Sequence, residues 1–147
     1  VCSSDLDLAK EKGYIQDATF TGMKHRMEQE NMQRSEKVAR GEAVYGLKEY
    51  TLDLYQEYEL SMIEEAYILD ETNEGMGLTE EEIEAYYNTR DWIVGEDARK
   101  ADLSEARAAV IDEMRRNRYQ ELTEQKAAVA EVDGDMDQLS QFTLKQL

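Results

Sequence analysis

The chain has 147 residues, with 17 Lys and Arg against 34 Asp and Glu, a net charge of −17, one Cys and no Pro. That length suits one domain with a real core. The charge argues against a nucleic-acid partner, which would need clustered Lys and Arg, and against an anionic membrane surface. Leu, Val, Ile and Phe account for only 28 of the 147 residues, close to the edge of disorder, so nine Tyr and seven Met must add apolar surface. Absence of Pro in a chain that is 35% charged points to helices.

In chain order, residues 1–6 (Val-Cys-Ser-Ser-Asp-Leu) match the translated end of a common sequencing adapter. They are expected to be a scar and are set aside from the fold. Cys2 goes with them, so thiol content says nothing about compartment, and the native start of the protein is expected to be missing. A short helical segment, Asp7 to Lys12, stops at Gly13. Asp17 reads as the N-cap of a helix reaching about Arg40, with Gly41 beyond its end. Phe20, Met23 and Met27 form its apolar face. The same face then carries Asn31 and Arg34 before Val38 returns, so it makes a poor coiled-coil seam. Residues 41–50 form a connector in which Val44-Tyr45 is locally extended.

A helix is predicted from about Leu52 to Asp70, with Leu52, Tyr55, Leu60 or Tyr58, Met62, Tyr67 or Ile63, and Leu69 on a broad apolar face. After a glycine-containing loop, Thr79 and Glu82 spell a capping box, with Leu78 and Ile83 as the hydrophobic staple. This helix fades near Arg90. Residues 91–101 form a second connector, and Asp102 with Glu105 repeats the capping logic for a helix to about Lys126. Residues 128–133 alternate weakly and are expected to form one short strand. Residues 134–147 read as a polar tail. The expected fold is all-α, about four helices in a bundle-like domain over residues 7–133.

Candidate chemistry is sparse. His25, the single histidine, has no second His or Cys for a metal and no nucleophile in a recognisable frame; an exposed, structurally neutral place is expected. A calcium loop at Asp133 fails, with Gln138 at its sixth position and Leu144 at its twelfth. A better-placed one begins at Asp70, with Thr72, Glu74, Gly75 and Glu81 at positions three, five, six and twelve. It lacks the carboxylate at position three, and a loop with a capping box explains the same residues. No metal and no cofactor is assigned. The remaining feature is a stripe of Tyr45, Tyr50, Tyr55, Tyr58, Met62, Tyr67, Tyr86, Tyr87 and Trp92. Such residues serve either as a core whose hydroxyls reach water or as an adaptable groove for varied partners.

Three stretches in order resemble the chaperone region of bacterial foldases, the SurA-like and PrsA-like peptidyl-prolyl isomerases. They are Glu30-Asn31-Met32-Gln33-Arg34, then Gly41 to Gly46 followed by Tyr50, and Leu78 to Tyr87. The stretch Ala106 to Tyr119 with Ala130-Glu131-Val132-Asp133 is similar to that family's closing helix. The resemblance implies one client-binding lobe of the SurA N-terminal type, exported and anchored to a membrane through a segment ahead of this sequence. Enzymatic members carry a parvulin domain of about a hundred residues between the Tyr-Tyr helix and the closing helix. Here residues 88–102 alone fill that gap, leaving no room for a catalytic domain. The expected function is a non-catalytic, extracytoplasmic chaperone-like domain. It would hold unfolded or extended protein clients on Tyr45, Tyr50, Tyr55, Tyr58, Met62, Tyr86, Tyr87 and Trp92. The other reading is a structural or adaptor domain that binds one fixed protein partner.

Overall fold

A computed structural model of the chain describes the backbone of residues 3–94 and 98–144, and the side chains of residues 4–93 and 98–131. The fold is all-α, as expected. It comprises α1 (Ser3–Glu11), α2 (Phe20–Ala39), α3 (Leu52–Leu69), α4 (Glu80–Tyr87) and α5 (Leu103–Leu144). Between α4 and α5 lies an antiparallel hairpin of β1 (Ile93–Val94) and β2 (Arg99–Lys100), with Ile93 opposite Lys100 and Val94 opposite Arg99. Among the described residues, no helix is long and apolar enough to cross a membrane.

The chain divides into two compact units, Val1–Ile63 with Ala127–Leu147, and Glu64–Lys126. In the first, α1 buries Leu6, Leu8 and Ala9. Leu6 and Ala9 pack with Ile15, Ile63, Ala18 and Leu60, so the stretch set aside as a scar contributes Leu6 to a core. The start of α2 is shifted from the expected one. Thr19 is its N-cap, accepting a hydrogen bond at Oγ1 from the Gly22 N–H, while Asp17 accepts from the Thr19 N–H at 2.8 Å. Asp17 therefore braces the cap instead of forming it.

The second unit is built on the end of α3, α4, the hairpin and the first half or so of α5. The expected capping box is present: Glu82 N–H donates to Thr79 Oγ1 at 3.2 Å and Thr79 N–H to Glu82 Oε2 at 2.9 Å. Asp102 and Glu105 form the same reciprocal pair at the start of α5. Ile83, Trp92, Ala101, Ala106, Val110 and Met114 form the core. Burying side chains of the Ile or Met size contributes roughly 1.5–3 kcal/mol each.

One expectation for the last twenty residues is corrected. Residues 128–133 are not a strand, because α5 runs unbroken to Leu144 and takes in residues 134–144 of the polar tail. Ala127, Ala128, Ala130 and Glu131 are strong helix formers, and extending an existing helix is cheaper than starting a new element. The short strands lie instead in the connector, where Ala101 N–H donates to the Trp92 carbonyl at 2.7 Å.

Candidate functional site

The polar interruption in the α2 face explains how the first unit is assembled. Asn31 makes a two-way bond with Tyr50, its Nδ2 donating to the Tyr50 carbonyl at 2.9 Å and its Oδ1 accepting from the Tyr50 N–H at 2.7 Å. One turn on, Arg34 donates to the carbonyls of Tyr45 at 2.9 Å and Leu47 at 2.7 Å, and its Nε pairs with Glu30. The Arg34 guanidinium also lies 4.7 Å from the Tyr50 ring centre. Two side chains thus pin the loop of residues 41–50 to the helix. Within that loop Gly41 and Gly46 have φ of 74° and 79°, which costs a glycine little.

Behind the loop, Tyr50 stacks on Tyr58 at 4.9 Å and meets Tyr55 edge-on at 5.9 Å, packed with Met23, Met27 and Leu52. Beneath them lies a largely buried ion pair. Arg26 Nε and Nη2 reach the two oxygens of Glu59 at 2.5 and 2.9 Å, and Tyr55 donates to Glu59 at 3.3 Å. Burial, reinforced by the Glu59 charge, raises the pKa of Tyr55 well above the ordinary 10.0. The hydrogen bond to Glu59 raises that of Arg26.

The second unit has its own aromatic cluster. Tyr86 donates to Glu113 at 2.8 Å and accepts from Asn117 at 2.9 Å; Tyr87 donates to the Ala101 carbonyl at 2.7 Å. The Trp92 indole donates to the Tyr87 carbonyl at 3.1 Å, and Arg90 covers the Trp92 ring while pairing with Glu113. The bond to Glu113 raises the Tyr86 pKa. Tyr67 packs on Tyr119 with ring centres 5.4 Å apart. Four arginines of α5 tie residues 64–82 in place. Arg107 pairs with Glu80, Arg115 with Glu71, Arg116 with Glu64 and Glu65, and Arg118 with Glu82.

The candidate residues are thereby sorted. Tyr50, Tyr55 and Trp92 are buried in packed clusters, and Tyr58, Tyr86 and Tyr87 are half-buried. Tyr45 and Met62 are exposed, at 89% and 53%. Tyr45, Tyr50, Tyr55, Tyr58 and Met62 belong to the first unit, and Tyr86, Tyr87 and Trp92 to the second. His25 is exposed, as expected. In the loop after α3, the Asp70 carboxylate accepts from the N–H and the hydroxyl of Thr72. Sequence reading missed Asn31 and Arg34 as loop anchors. Their signal was two polar residues three apart on an otherwise apolar face.

Fold and sites define an acidic, all-α protein in which Tyr50, Tyr55 and Tyr58 pack in one cluster and Tyr86, Tyr87 and Trp92 in another, while Tyr45 faces water. Over 136 residues it is 37% identical to a protein named chaperone for lacto-N-biosidase, from Bifidobacterium longum subsp. longum. The match takes in 92% of this chain and 49% of that protein, so the chain spans about half the length of this relative. No family model matches the chain, and no solved structure matches it.

Proposed function

We propose that this chain is the client-handling part of a chaperone devoted to one protein client, an enzyme of the lacto-N-biosidase kind, and that it works outside the cytoplasm without catalysis of its own. The observation that carries the reading is the 37% identity to the Bifidobacterium chaperone across nearly the whole of this chain. The structure supports it with exposed apolar residues on a strongly acidic chain: Tyr45 and Met62, with half-buried Tyr58, form the proposed contact set of the first unit. Tyr86 and Tyr87 offer partly accessible rings in the second. Tyr50, Tyr55 and Trp92 support these residues from within. Covering apolar client surface contributes about 25 cal/mol per Å² before ordering costs, while the charge of −17 keeps the complex soluble.

The test dilutes chemically unfolded lacto-N-biosidase, and separately two unrelated unfolded enzymes, into buffer with and without this chain. Regain of lacto-N-biosidase activity, with little help to the other two, is expected. Equal protection of all three would replace the dedicated reading with a general holdase. Protection of none by a helical, folded sample would remove the chaperone reading.

A further inference from the structure

Within the first unit, α3 is apolar on two sides. Tyr55 and Ile63 face the packed clusters, while Leu54, Tyr58 and Met62 follow one another at four-residue steps on another side. Leu54 and Met62 are 43% and 53% exposed, and Tyr58 is half-buried with its ring backed by Tyr50. Steps of four make a ridge along a helix, here about 12 Å long. The exposed Phe20, Met32 and Val38 of α2 lie too far apart in sequence to make one.

Free carboxylates stand beside this ridge. The residues of α3 include Asp53, Glu57, Glu59, Glu64 and Glu65 but no Lys or Arg. Glu59 is held by Arg26, and Glu64 and Glu65 by Arg116. Asp53 and Glu57 are exposed, and among the described residues no Lys or Arg pairs with them. Each stands one position before a member of the ridge, Leu54 or Tyr58. The positive end of the helix accounts for Asp53 but does not reach Glu57 a turn further in, and like charges four positions apart repel.

The complement of an apolar ridge with free carboxylates alongside is a helix whose apolar stripe is flanked by Lys or Arg. Ridges of this spacing interdigitate with those of another helix. An extended segment fits less well, because the backbone of α3 is bonded within the helix and leaves the segment's own N–H and C=O groups without partners. A second copy would set the same carboxylates against each other. We infer that Leu54, Tyr58 and Met62 seat a basic amphipathic helix of the client, and that Asp53 and Glu57 pair with its Lys or Arg side chains. The inference rests on the chaperone reading, since it takes the partner to be the client polypeptide.

The test titrates the full chain with a designed four-turn helical peptide that carries a leucine stripe flanked by lysines. One control peptide scrambles the same residues, which keeps the charge and removes the stripe; the other replaces lysine with glutamate. Binding in the tens of micromolar is expected for the first, and at least tenfold weaker binding for both controls. Leu54→Ser with Met62→Ser, at exposed positions, is expected to weaken binding at least tenfold with an unchanged thermal melt. Asp53→Asn with Glu57→Gln is expected to weaken it about fivefold and to flatten its salt dependence. Glu81→Gln with Glu84→Gln, the same change of charge at exposed positions of α4, is expected to leave it unaltered. Equal binding of the scrambled peptide, or an equal loss from the α4 changes, would make the attraction a property of the whole acidic chain and overturn the seat. A dimer in sedimentation that the Leu54 and Met62 changes dissolve would also overturn it, by giving the ridge to a second copy. In the client assay, Leu54→Ser with Met62→Ser that rescues as well as the native chain overturns the seat but leaves the chaperone reading intact. If the native chain rescues nothing, the chaperone reading fails, and the peptide titration alone decides whether the ridge takes a basic helix.

Discussion

Arg26 and Glu59 show how one pair of residues sets the character of a core. Glu59 is 6% exposed, and its charge is tolerable because both oxygens are met by a guanidinium and one also accepts from Tyr55. Arg26→Ala would leave that carboxylate buried without its partner. A loss of about 2–3 kcal/mol is expected, below the full cost for a deeply buried pair because Arg26 retains some solvent contact. Urea unfolding checks it, and a loss within 0.5 kcal/mol of zero would mean that water replaces the arginine. Neither residue stands out in the sequence, since the two lie 33 positions apart among many charged neighbours. The Asn31 and Arg34 pins were half legible. Their break in the apolar pattern was visible, but the backbone groups they hold come from a loop that only the folded chain brings near.

At the scale of elements, the two capping boxes were the easiest features to read. The caps at Thr79 and Asp102 are formed by residues within three positions of each other, so local sequence carries all the information needed. The end of α5 depends on a competition between weak alternation and helix propagation, and propagation wins through the alanine-rich stretch 127–130. Ala128→Pro distinguishes the two outcomes. In a helix interior it is expected to cost about 3 kcal/mol and to raise hydrogen exchange around residues 124–131 about a hundredfold, with a loss of helical ellipticity. An unchanged spectrum and unchanged exchange would mean that the helix ends before this point. The hairpin at residues 93–100 was read as a plain connector because two-residue strands leave no periodicity to detect.

At the scale of the whole molecule, acid and base should each destabilise the fold, for separate reasons. Asp17, Glu80, Glu82, Asp102 and Glu105 have pKa values held below the ordinary 3.8 and 4.5. The largest causes are a Thr19 hydrogen bond, Arg107, the Thr79 N–H, the Ser104 hydroxyl and Arg99, respectively. A lowered carboxyl pKa means that the unfolded chain binds more protons. The stability is therefore present above the ordinary values and is lost as pH falls through and below them. Tyr55 works in the opposite direction. Its raised pKa keeps it neutral in the fold, so its stabilising share is complete below pH 10.0 and is lost as pH climbs beyond that value. The expected profile is a plateau between about pH 5 and 10 with a fall on each side, measured as the urea midpoint. A midpoint that rises steadily on acidification from pH 7 to 3 would show that relief of the −17 charge outweighs the loss of these bonds.

The sequence by itself determined the all-α class, the acidic exterior, the two capping boxes and the exposed place of His25. Each depends on composition or on residues a turn apart, where backbone geometry leaves few choices. Only the tertiary structure decided which tyrosines are core and which face water. Tyr45 and Tyr50 are five residues apart and chemically identical, yet one is 89% exposed and the other 9%. What separates them is the fastening of one loop by Asn31 and Arg34, which turns Tyr50 inward onto Tyr55 and Tyr58 and leaves Tyr45 outside.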